Sequence, residues 1–146
     1  MRALLATILI VTSCWAEPGA FGTWKMNPAH SRDPYPTGLT VRFEQHPKGE
    51  VFTLDWIEAD GRVTSSSTIL YLDGKPRDFG DLRCSGTQSS RRVDSRTVEI
   101  LRKCSTGESN RFVRRLGPQP KELILDISER QPDGRRFERH LVLEKQ

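Results

Sequence analysis

Two cysteines, Cys84 and Cys104, are the residues of this chain whose type and setting point most directly to a reaction, and the reaction is a disulfide. They are far apart in sequence. A redox pair instead needs a close CxxC-type arrangement with a tuned thiolate. An even pair in an exported chain is most simply a structural bridge. His30, His46 and His140 stand at no HxxxH or other ligand spacing, so no metal site is expected. The chain has no GxSxG elbow, no P-loop and no GxGxxG. Ser85-Gly86, after Cys84, lacks the context of a nucleophile. Asp55 and Glu58, or Asp78 and Asp81, are three residues apart. On a strand that spacing sends the two carboxylates to opposite faces, which is poor for acid–base work. The sequence therefore predicts no catalytic residue, no cofactor and no enzyme.

Charge is the next candidate. Residues 83–115 carry Arg83, Arg91, Arg92, Arg96, Arg102, Lys103, Arg111, Arg114 and Arg115 against Asp94, Glu99 and Glu108. Solvated strand faces are the plain explanation. The functional one is a surface for an anionic envelope component. Strand alternation puts Arg102 on the face of Val98, Ile100 and Cys104, and Arg114 on that of Phe112 and Leu116. Arg91, Arg96, Lys103, Arg111 and Arg115 are therefore the expected contributors. The whole chain is only mildly basic, at +4. With export, that argues against a nucleic-acid partner.

Export is read from the N-terminus. Arg2 precedes the apolar run Ala3 to Val11, and small residues follow. This is the pattern of a signal peptide, and the run is too short to span a bilayer. Cleavage after Ala16 gives a signal at 1–16 and one domain at 17–146. Alternatively, Val11-Thr12-Ser13-Cys14 resembles a lipobox, with Cys14 lipidated. No second apolar stretch follows, so no transmembrane segment is expected.

The elements that must position these residues are strands. Apolar residues alternate with polar ones at Leu39/Val41/Phe43, Phe52/Leu54/Trp56, Val98/Ile100 and Leu123/Leu125/Ile127. Asp60-Gly61, Asp73-Gly74 and Asp133-Gly134 are hairpin signals. The spans are 21–26, 39–46, 51–58, 63–72, 84–93, 97–104, 110–116, 121–130 and 136–145. These are nine strands, or ten if the short run 76–79 is counted. An antiparallel up-and-down meander of about 8–10 strands closes into a barrel; a β-sandwich is the alternative. A two-residue loop at Asp94–Ser95 makes Cys84 face Ser105, one place from Cys104. A bulge or a three-residue loop would bring the sulfurs together. Trp24, Trp56, Phe43 and Phe52 are core or cavity lining. The hydroxyl-rich run Thr64–Thr68 implies a partly polar interior or an exposed edge strand.

Gly22-Thr23-Trp24-Lys25-Met26-Asn27-Pro28 resembles the G-x-W opening of lipocalins and related calycin barrels. It is also similar to the opening of a set of small secreted bacterial proteins of lipocalin-like character. Those carry D-R-T-V-E in mid-chain, matched here by Asp94 and Ser95-Arg96-Thr97-Val98-Glu99, and end in E-K-Q, matched by Glu144-Lys145-Gln146. The resemblance implies a calycin barrel in which Trp24 plugs one end and stacks on a basic residue of the last strand, Arg139 or Arg136. The lipocalin helix after the last strand and the two helices of fatty-acid-binding proteins have no counterpart. The functions left open are a carrier of a small apolar or amphipathic ligand, and an envelope interaction module that uses its basic face.

Overall fold

A computed structural model of the protein describes residues 18–146. The signal at 1–16, with Cys14 and the two processing routes, lies outside the described residues. A 3₁₀ turn, Pro18–Ala20, leads into ten strands: β1 (Gly22–Met26), β2 (Leu39–His46), β3 (Gly49–Ile57), β4 (Val63–Leu70), β5 (Arg77–Gly80), β6 (Ser85–Asp94), β7 (Thr97–Cys104), β8 (Ser109–Leu116), β9 (Glu122–Arg130) and β10 (Arg136–Lys145). The short run near 76–79 is thus a strand, and the count is ten.

All ten form one antiparallel sheet in the order β4-β3-β2-β1-β10-β9-β8-β7-β6-β5. Each neighbour is a hairpin partner except β1 and β10, which pair through Trp24 with Lys145 and Lys25 with Glu144. The sandwich is excluded; this is a meander curled into a nearly closed barrel. Asp-Gly turns give the hairpins their left-handed residue, with φ of 84° at Gly61, 74° at Gly74 and 88° at Gly134.

The two edge strands, β4 and β5, face each other across a seam. Side chains span it rather than a backbone ladder. Ser66 Oγ donates to Asp81 Oδ2 at 2.6 Å, and Gln88 Nε2 donates to Thr68 Oγ1 at 3.1 Å. At one end the Leu72 N–H donates to Ser90 Oγ at 3.0 Å. The hydroxyl-rich run therefore sits on an edge strand and also supplies a polar interior. Ser66 is buried, and the partners that satisfy it belong to the far edge.

The β1–β2, β3–β4, β5–β6, β7–β8 and β9–β10 connections lie at one end of the barrel. The longest, residues 27–38, straps this end, and Tyr35 packs on the core. At the opposite end the 3₁₀ turn holds Gly19 against Leu116.

The interior is filled across its waist. Phe43 and Phe52 stack as a cross-strand pair with centroids 5.0 Å apart, and Phe52 meets Phe112 edge to face at 6.0 Å. β3 and β8 are opposite walls, so this contact crosses the lumen.

Candidate functional site

The interior carries charge as well as aromatic rings. Arg114, on β8, spans the barrel to Glu50 on β3, with Nη1 2.5 Å from Oε2. Arg92 Nη2 reaches the same carboxylate at 3.2 Å. Arg114 also lies 4.4 Å from the centroid of Phe43. Two cations thus share one buried anion. Arg114 Nε has no hydrogen-bond partner among the described residues.

The second interior charge is Arg102, 3% exposed. Its guanidinium lies 4.2 Å from the Phe79 centroid and 5.0 Å from that of Phe112. Its one hydrogen bond among the described residues runs from Nε to Gln88 Oε1 at 2.9 Å. Nη1 is 3.8 Å from Asp81 Oδ2, beyond hydrogen-bond range. Burial pulls the Arg102 pKa down to about 10, against the opposing attraction of Asp81, so the group remains a cation at neutral pH. Burial also opposes ionisation of Asp81. Ser66, the N–H groups of Arg83 and Cys84, and the Arg102 charge outweigh it and hold the carboxyl below its ordinary value.

Arg102 therefore holds Gln88 and Asp81, the two groups that reach across the seam to Thr68 and Ser66. Between the edges lies a cleft of about 180 Å³, lined by Thr68, Ile69, Tyr71, Lys75, Arg77, Asp78, Gln88 and Ser90. Arg102 is not part of this lining; Gln88, which it holds, is its link to the cleft. Sequence alternation placed Arg102 on the inward face. Its link to the seam depends on Asp81 and Gln88, and no motif marks those two.

Cys84 and Cys104 are bonded, Cα to Cα 5.2 Å. The register shifts between Arg92 and Asp94, and this bulge places Gly86 opposite Cys104. A Cβ on Gly86 would lie 1.9 Å from the Lys103 carbonyl oxygen, so glycine permits the close approach beside the bridge.

Trp24 is buried, and its Nε1 donates to the Ala20 carbonyl at 3.0 Å. The cation over its ring is Lys145, 5.5 Å from the centroid, and the stacking on Arg139 or Arg136 is corrected. Arg139 points toward the strap end. It lies 4.2 Å from the Tyr35 centroid, and Nη1 donates to the Asp33 carbonyl at 2.8 Å. Arg136 is exposed on the outer wall. Trp24 is nearer the barrel end to which β10 runs; it pairs with Lys145, and Arg139 lies too early in that strand to reach it.

The five expected surface cations are all exposed, but they do not form one free face. Arg91 and Arg111 both bind Glu99, at 2.8 and 2.6 Å, and Arg115 binds Asp126 at 3.2 Å. Arg96 Nη2 donates to the Gly117 carbonyl at 3.3 Å, at the end opposite Lys103. Lys103 and Arg96 have no ion-pair partner among the described residues, and Arg96 is held by backbone carbonyls instead. Alternation predicted exposure correctly; it could not show which carboxylates fold over onto the arginines.

No group of three or more His, Cys, Asp or Glu side chains among the described residues is arranged to hold a metal ion. Asp55 and Glu58 have separate partners, Ser65 and Arg83. His140 pairs with Asp126, with Nδ1 2.5 Å from Oδ1.

The sequence matches no family model. It matches no curated protein sequence either. The structure is similar to the crystal structure of a zebrafish ileal bile acid-binding protein complexed with cholic acid, with a TM-score of 0.57 at 10% identity. The match covers 88% of this chain and 99% of that one. The likeness is one of fold: an all-β, calycin-type barrel.

Proposed function

We propose that the chain is an exported, non-catalytic calycin that binds a small amphipathic molecule beside Arg102, with the β4–β5 seam as its way in. A leader at 1–16 and one ligand-binding domain at 17–146 belong to the same reading. The observation that carries it is a buried guanidinium whose one hydrogen bond goes to Gln88, a side chain that lines a cleft between two strand edges. A buried cation without full partners is costly, and an incoming anionic head group supplies what it lacks. The similar bile acid-binding structure supports small-ligand binding by this fold. The Phe52–Phe112 contact limits the size. Ligand sites usually run to roughly 300–1,000 Å³, and this cleft is smaller, so the ligand is short. The disulfide supports export.

Calorimetric titration with octanoate and octanol tests the reading, because the two share a tail and differ in the head. Octanoate should bind more tightly, and Arg102→Gln should erase the difference. Equal affinities in the wild-type chain would overturn it. A second reading, a barrel filled by its own side chains and acting through its surface, is favoured by the same Phe52–Phe112 contact. It predicts that neither compound binds.

A further inference from the structure

We infer that the strap end of the barrel docks on an anionic lipid bilayer, with Lys103, Arg130 and Arg136 as the charged contacts. This holds whether or not Arg102 takes a ligand.

The three cations lie in one register row across the outer wall. Lys103 pairs with Ser109, Ser109 with Arg130, and Arg130 with Arg136. Like charges directly opposite across strands are destabilising. Other exposed arginines at this end have carboxylate partners: Arg62 pairs with Asp60, Arg83 with Glu58, and Arg135 with Asp133. In this row no carboxylate lies within ion-pair distance of any of the three among the described residues. The row borders a groove of about 440 Å³, where Leu101 supplies an apolar wall and Glu129 and Glu138 two acids.

The choice of partner follows from the neighbours. Of the exposed large apolar side chains, Val63 at 59%, Leu82 at 88% and Phe137 at 44% all lie at this one end, beside the β3–β4, β5–β6 and β9–β10 turns. A soluble polyanion would engage the cations and leave these side chains in water. A bilayer interface takes both, with the charges at the head groups and the apolar tips below them. Exposed apolar groups beside free cations at one end of a barrel therefore fit a lipid surface better than an acidic polymer.

Co-sedimentation of the full chain with phosphatidylcholine vesicles, with and without phosphatidylglycerol, is the test. Binding should require phosphatidylglycerol and weaken steeply with salt, because exposed charges are screened within about 8 Å at physiological ionic strength. Arg130→Gln with Arg136→Gln should weaken it roughly thirtyfold, from the attraction of two cations to an anionic surface. Leu82→Ser with Phe137→Ser should weaken it as well. Arg62→Gln with Arg135→Gln, whose charges are already paired, should change it little. All these positions are exposed, so melting temperatures should stay near wild type. If the Arg130/Arg136 variant fails to fold, Lys103→Gln provides the same comparison. Equal binding to neutral vesicles, undiminished binding by folded cation variants, or capture by soluble polyphosphate without capture by vesicles would each overturn the proposal.

Discussion

Phe52 and Phe112 touch edge to face across the lumen, 6.0 Å between centroids, although they belong to opposite walls of the barrel. The contact divides the interior. Toward the strap end lies Arg102 with Asp81 and Gln88; toward the opposite end lies the Glu50–Arg114 pair.

Phe112→Ala should remove that partition. Truncating a buried aromatic costs roughly 3–5 kcal/mol and leaves a cavity. Denaturant unfolding should show the loss. Calorimetry should show that the variant accepts dodecanoate, which the wild-type chain is too full to hold. A variant that loses stability but takes up no longer tail would mean the walls collapse on each other.

The Cys84–Cys104 bridge should account for about 3 kcal/mol by loop entropy. Thiol labelling of the unreduced protein should find neither cysteine free. Reduction should lower the melting temperature, and Cys84→Ser with Cys104→Ser should match the reduced protein.

Glu50→Gln should be more harmful than replacing the whole charged group. It leaves Arg114 buried without its counter-charge, at a cost of about 3–5 kcal/mol. Glu50→Leu combined with Arg92→Met and Arg114→Met, which removes both cations that share the carboxylate, should recover most of that. Chemical denaturation of the two variants decides the order.

Asp81 should give the fold an acid limit. Its pKa is lowered from 3.8 in the folded state. Its contribution is therefore complete above the unfolded value and is lost as pH falls through the lower folded one. The melting-temperature difference between wild type and Asp81→Asn should be constant near neutrality and shrink below about pH 4. A constant difference down to about pH 2 would show that the Ser66 and Arg102 contacts do not depend on ionisation.

Much of the wall was legible in the sequence. Period-two patterns and Asp-Gly turns located the strands within one or two residues, because each strand has one wet and one buried face. The motifs at the two ends proved to be partners. Lys25 faces Glu144, and Asn27 Nδ2 donates to Glu144 Oε1 at 2.7 Å. Arg102 and Arg114 were correctly turned inward by alternation. What stayed hidden depends on long-range closure. No local pattern reveals that Arg114 reaches Glu50, 64 residues away, or that Arg102 serves the seam. The basic residue over Trp24 was misplaced for the same reason: the pairing register of β10, not residue type, selects Lys145. Arg130 and Arg136 were missed as a cluster because they meet only when a hairpin sets them opposite each other.

The pairing of β1 with β10 bears on how the molecule is assembled. Every other strand finds its neighbour within one hairpin, so those contacts are local and quick to form. β1 gains its second neighbour only when the last strand arrives, more than a hundred residues later. A nascent chain must therefore carry Trp24 with one side of its strand unpaired until β10 has been made. Loss of β10 would leave two new sticky edges, on β1 and β9, where the intact molecule has a continuous wall.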